Sequence, residues 1–326
     1  MSARQALIGA CPPGHSGRSA KFPFRSRPPD PMPRLLDRCL ALLLLACLSL
    51  AGCHRDPVAP GDPMAAVTGM AQAIRDNDLV RYSRLSVPPD LYKRLEKRWR
   101  DNLSAAPPPT AVEQRDYARW MLRLTGADAE KNLYRDFNAK LRKVESELGS
   151  QWPLMQATGG IFINGLIKAN DKLGSAEKAH AQAVGTALLQ WLTPATLTDR
   201  AKARAAIAIL AQTARGLDLP TLEHTRRLEM IPALEKGGQI LKGLKRVAGV
   251  YGIDADAALA GVQARLLSAN GDLATMEVSY PMFGKTITFE MQLIRRDGRW
   301  YSADAVRDAE LNLARPLSAG RYPARP

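Results

Sequence analysis

The sequence predicts an α+β protein that is predominantly α: a multi-helix body followed by a C-terminal three-stranded antiparallel β-meander. Three observations carry this reading. From Asp62 to about residue 268, apolar residues recur at three- and four-residue intervals between recognisable helix caps. After Asn270-Gly271 the period changes to two, and Asp297-Gly298 is a two-residue hairpin signal.

The helices are read in chain order. Asp62-Pro63 places a cap before a proline at the first turn, and Asp90 precedes a helix from Leu91 to Arg100. Thr110 and Glu113 have capping-box spacing and open a helix to about Leu124, before Gly126. A longer helix is expected from Ala127 to Leu148, with Leu133, Phe137, Leu141, Val144 and Leu148 as its buried stripe. Further helices are expected at Leu154–Leu173, Ala176–Leu192, Asp199–Arg215, Ala233–Val250 and Ala255–Ser268. Gly159 to Ile167 is the most apolar internal stretch, too short to span a bilayer, and reads as a buried helix whose glycines allow close backbone approach.

In the strands, Ala274, Met276, Val278 and Tyr280 alternate with polar residues, as do Ile287, Phe289, Met291 and Leu293. Asp297-Gly298 leads into Arg299 to Ser302. Such a meander has one apolar face to cover, and the helices from Ala233 to Ser268 are its expected cover. The ending Arg296-Asp-Gly-Arg-Trp-Tyr301 resembles the last strands of cystatin-like and nuclear-transport-factor-like α+β modules, over about 35 residues. That resemblance implies a helix-backed curved sheet and no particular activity.

With 46% apolar and 24% charged residues, the 326-residue chain has globular composition, which excludes disorder throughout. The formal charge is +14, but residues 1–52 hold seven Lys/Arg against Asp30 and Asp37, so the remainder carries +9. A surplus of this size attracts anionic partners and is equally a property of a solvated surface. The cysteines are Cys11, Cys39, Cys47 and Cys53. A chain beginning at Cys53 has no second thiol and no disulfide framework.

Arg34 and Arg38 precede an apolar run from Cys39 to Leu50, the layout of a secretory signal, about a dozen residues against the roughly 20 that span a bilayer. Leu50, Ala51, Gly52 and Cys53 then resemble the lipobox of bacterial lipoproteins, the substrates of the lipoprotein signal peptidase. The resemblance implies cleavage before Cys53, a diacylglyceryl thioether on its sulfur and N-acylation, with palmitate-type chains holding the protein on a membrane. Two or more acyl chains, at about 0.8 kcal/mol per buried CH₂, make such an anchor effectively permanent. His54 stands where an Asp would signal retention at the inner membrane in Gram-negative relatives, so the implied address is the outer membrane, facing the periplasm.

These readings divide the chain as follows. Residues 1–31, rich in Pro and Arg, are expected to lie upstream of the true start and to be disordered; 32–52 form the signal peptide and 53–62 a lipidated tether. A helical domain spans 63–232, helices plus the β-meander span 233–306, and 307–326 form a tail.

Chemistry is sparse. Glu177 and His180 have the spacing of half a di-iron carboxylate site, but no second Glu-x-x-His exists and only His54, His180 and His224 follow the lipobox, so an ordinary helix-face pair is expected. His224 reads as a surface residue on a charged turn. Gly284-Lys285-Thr286 imitates the end of a phosphate loop, yet Ser279 stands where that loop requires Gly, and the tripeptide reads as a hairpin turn. No nucleophile elbow occurs. No catalytic residue, cofactor or metal is assigned.

Lys93, Arg94, Lys97 and Arg98, among Tyr92 and Trp99, form the densest basic-aromatic cluster, a candidate contact for an anionic partner or a solvated helix face over buried Leu91, Leu95 and Trp99. Lys242, Lys245 and Arg246 are a second such group. The sequence thus points to a membrane-anchored periplasmic lipoprotein acting as a binding, scaffold or envelope-assembly protein. Its partners would be the membrane, through Cys53, and envelope proteins or anionic polymers, not nucleic acid. The alternative is a lipid-anchored enzyme acting on wall polymers.

Overall fold

Asp62 caps the first helix, α1 (Pro63–Arg75): its carboxylate accepts the Ala65 amide at 2.7 Å, and Pro63 fills the first turn. The structure, a computed structural model, describes residues 58–170 and 173–316, all within one unit, Asp56–Pro326. The lipobox residues and Cys53 lie outside the described residues. Helix α2 (Leu79–Ser86) was not anticipated, because eight residues are too few to display a period; Asp78 opens it by accepting the Arg81 amide at 2.8 Å. Helix α3 (Pro89–Ala105) starts earlier and ends later than expected. Pro89 is tolerated at a helix start, and the Asp90 carboxylate then lies in the first turn, near the positive end of the helix dipole. Ahead of α4 (Ala111–Thr125) the capping box is complete, with Thr110 Oγ1 accepting the Glu113 amide at 3.3 Å and Glu113 Oε2 accepting the Thr110 amide at 2.8 Å.

The two helices expected at Ala127–Leu148 and Leu154–Leu173 are one, α5 (Ala129–Lys168), which runs through Pro153. A proline inside a helix removes a donor and crowds the preceding turn. Packing against neighbours offsets that: α5 lies on α4, α6 (Ser175–Trp191), α7 (Pro194–Thr198) and α8 (Arg200–Gly216). Its expected stripe is only partly inward, with Leu141 buried and Phe137 exposed. The Gly159–Ile167 stretch is likewise not buried. Ile161, Phe162 and Leu166 face solvent, while Gly159 and Ile163 turn toward Leu189 and Gly185 of α6. The short α9 (Leu222–Arg226) and the long α10 (Met230–Val250) follow.

The helix expected over Ala255–Ser268 stops at Ala260, giving α11 (Ala255–Ala260), and the chain continues as strand β1 (Gln263–Asn270). At Gly261 a Cβ would lie 2.7 Å from Pro281 Cδ, so the backbone passes β2 at a distance that only glycine allows. Most β1 side chains are exposed on both faces, which leaves no alternation in the sequence; backbone pairing with β2 holds it in the sheet. Strands β2 (Leu273–Met282), β3 (Lys285–Arg296) and β4 (Arg299–Ser302) complete an antiparallel sheet of order β1-β2-β3-β4, four strands where three were expected. Asp297 (φ 51°) and Gly298 (φ 74°) make the anticipated tight hairpin. Residues 307–314, assigned to a tail, belong instead to helix α12 (Ala303–Ala314), capped by Ser302 Oγ, which accepts the Ala305 amide at 3.2 Å.

The sheet's apolar face is covered mainly from the other end of the chain. Helix α1 packs on β1, β2 and β4, placing Ala66, Val67, Met70 and Ala73 against Met276, Val278, Leu293 and Trp300. Of the helices expected to cover it, α11 reaches β2, whereas α10 packs on α8 and α2. A second core joins Ala59, Leu91, Tyr92, Met230, Tyr301 and Val306. Both cores cross the boundary expected near residue 232, so the helical and strand segments form one unit.

Candidate functional site

Helix α6 packs on β3. Glu177 serves that helix first: its Oε2 accepts the Gly174 amide at 2.8 Å. One turn on, the His180 ring stacks on Phe289, with centroids 4.0 Å apart and planes 13° from parallel, and its Nε2 lies 2.8 Å from the Tyr280 hydroxyl. The register pairs Val278 with Phe289 and Tyr280 with Ile287. Tyr280 and Phe289 are therefore diagonal neighbours on the apolar face, and their rings meet edge to face. Burial lowers the His180 pKa and raises that of Tyr280. Both shifts favour the neutral form, and the two groups share one hydrogen bond.

This pair stands in the wall of a cavity of about 590 Å³ between α1, α6, α10, α11 and the strands β2 and β3. Most of the wall is apolar, and Met70, Met282 and Met291 give it side chains that adapt to irregular shapes. Alanines stand at four places in it, Ala71, Ala176, Ala255 and Ala258. Its one ammonium group, Lys245, is occupied, with Nζ donating to the Ile74 and Arg75 carbonyls at 2.7 and 2.9 Å and to Asp256 Oδ1 at 2.7 Å. Ser302 also borders the cavity, but its hydroxyl caps α12.

Comparison of the chain with protein-family models, curated proteins and solved structures finds no match in any of the three. The geometry of the site therefore carries the functional argument.

Among the described residues no three His, Cys, Asp or Glu side chains gather as a metal site would require, and no helix is long and apolar enough to cross a membrane. The Glu177–His180 pair, expected to be an ordinary helix face, contributes two of the polar residues of the cavity wall. Its partners Tyr280 and Phe289 are about 100 residues away in sequence, so the only available signal was their shared strand face.

The basic cluster lies on α3, where Lys93, Arg94 and Lys97 are exposed and Arg98 is half-buried. Lys97 pairs with Asp101 at 2.7 Å, and Arg98 Nη2 donates to the Arg315 and Pro316 carbonyls at 2.7 and 2.9 Å. Beneath it Leu91 is buried, while Trp99 stays exposed and donates its indole N–H to Leu228 O at 2.8 Å. The second basic group shares one surface pocket with Asp254 and Asp256: Lys245 also reaches the cavity, Arg246 donates to Gln212 Oε1 at 3.0 Å, and Lys242 faces solvent. His224 is exposed on α9, and Gly284 (φ 72°) lies in the β2–β3 turn.

Proposed function

We propose that this chain is a non-catalytic binding protein, lipid-anchored through Cys53 to the periplasmic face of the outer membrane, which holds a small apolar molecule between helices and sheet. The cavity carries this reading: its volume lies in the range of small-molecule sites, its walls are apolar, and its polar groups are few and convergent. An enzyme would need a nucleophile beside a base, or an acid and a base whose pKa values are pushed apart toward opposite tasks. Here burial drives His180 and Tyr280 alike toward their neutral forms, and among the described residues no carboxylate is hydrogen-bonded to the imidazole.

The test uses the full chain expressed in a Gram-negative host. Wild type should fractionate with the outer membrane and carry an acylated Cys53, and Cys53→Ser should lose both properties. A photo-crosslinking benzoylphenylalanine at Met282, in the cavity wall, should acquire a small-molecule adduct visible by intact mass, and one at the exposed Trp120 should not. A soluble wild-type product would refute the anchor. Absence of any small adduct at Met282 would refute the binding role.

A further inference from the structure

Resting on that reading, we infer that the occupant of the cavity is an uncharged single-chain amphiphile, such as a monoacylglycerol or long-chain alcohol, whose hydroxyl or carbonyl hydrogen-bonds to the His180–Tyr280 pair. Size favours one chain. At about 590 Å³ the cavity falls within the roughly 300–1,000 Å³ typical of sites for single small ligands, a size that suits one acyl chain with a small head.

Charge decides the head group. Glu177, Glu290 and Asp304 border the cavity, and Lys245, the ammonium that could offset them, is held by two carbonyls and Asp256. A carboxylate or phosphate head would find no uncommitted cation among the described lining residues, because Lys245 is already satisfied. An ammonium head would need a free carboxylate inside. Glu177 already accepts the Gly174 amide, Asp304 pairs with Arg307 at 2.8 Å, and Glu290 is exposed on β3. What the interior does offer is an imidazole and a phenol 2.8 Å apart, which between them can donate to or accept from a hydroxyl, or donate to an ester carbonyl. The stacking of His180 on Phe289 fixes the ring, so the polar contact is preorganised.

The experiment uses membranes bearing the full chain and four clickable diazirine probes of equal chain length: a monoacylglycerol, a fatty acid, an alkylammonium and a plain hydrocarbon. Labelling of the β2–β3 peptides is measured for each and normalised to that probe's labelling of bulk membrane protein. The monoacylglycerol probe should label at least tenfold more than the fatty acid and the alkylammonium. Tyr280→Phe keeps the ring and removes only the hydroxyl; it should reduce monoacylglycerol labelling about tenfold and leave hydrocarbon labelling unchanged. His180→Phe, which preserves the stack, should do the same. Equal or stronger labelling by either charged probe, or indifference to both substitutions, overturns the inference while hydrocarbon labelling leaves the binding role standing. No labelling of these peptides by any probe overturns both.

Discussion

Lys245 ties together the helices that wall the cavity, and its replacement tests that arrangement most directly. Its side chain is 8% exposed, and its ammonium caps the C-terminal end of α1 through the Ile74 and Arg75 carbonyls before it reaches Asp256, whose own side chain is 55% exposed. Lys245→Met preserves most of the side-chain volume and removes three charge-assisted hydrogen bonds. Each such bond is worth roughly 1.5–3 kcal/mol, but the burial of an ammonium costs several kcal/mol, so the net loss should be about 2 kcal/mol. The ion pair with Asp256 is the smaller part, because a half-exposed carboxylate contributes about 0–1 kcal/mol. Asp256→Asn should therefore be nearly silent. Urea unfolding should give the two values, and thermal unfolding a loss of roughly 4–8 °C for Lys245→Met in a body of this size. Equal effects from the two substitutions would refute the argument, since the ion pair and not the helix cap would then be the source.

Three further outcomes are expected. Gly238→Ala should destabilise strongly, because its Cβ would lie 2.2 Å from the Asn77 carbonyl oxygen, whereas Gly249→Ala in the same helix meets nothing within 4 Å and should gain up to about 1 kcal/mol of helix propensity; urea midpoints check both. Glu113 and Glu130 have pKa values lowered from 4.5 to about 2, chiefly by hydrogen bonds from Arg226 and Arg215. The stability they add is present above pH 4.5 and lost as pH falls toward 2, so the deficit of Glu113→Gln and Glu130→Gln relative to wild type should be full at pH 6 and shrink on acidification, and it should shrink with added salt because both carboxylates are solvent-accessible. Ala71→Leu should fill part of the cavity, raise the thermal midpoint and suppress labelling of the β2–β3 peptides by the hydrocarbon probe. A lowered midpoint would mean that the space is not available to a side chain.

The parts legible in the sequence were those decided locally. Asp62 and the Thr110–Glu113 box open helices because their acceptors lie within three residues. The alternation of β2 and β3 is visible because one face of each is buried by its neighbours. Strand β1 was read as helix because its side chains are solvated on both faces, leaving Ala and Leu content to speak for helix and only the β2 backbone to speak for strand. The expected break between Leu148 and Leu154 spans Pro153, whose local cost to a helix is real, and α5 runs through it in contact with α4, α6, α7 and α8. The cavity was illegible for the same reason: His180, Tyr280 and Phe289 acquire their role only once α6 is laid across β3.

The composition of the cavity wall separates a binding site from a packing fault. Interiors pack at nearly crystalline density, and large apolar voids forfeit dispersion contacts along their whole lining. The chain has the means to close this one, since α1 and α11 already use their other faces for tight contacts. Ala66 and Ala73, at 1% and 0% exposure, bring α1 down onto the sheet, while Ala71, on the same helix, opens onto empty space. One leucine at Ala71 would recover part of the missing contact. A wall that keeps alanines beside flexible methionines and a neutral hydrogen-bonding pair forgoes that stability. The arrangement is explicable if an occupant supplies the missing contacts, which would make the thermal midpoint of the protein rise with ligand concentration by mass action.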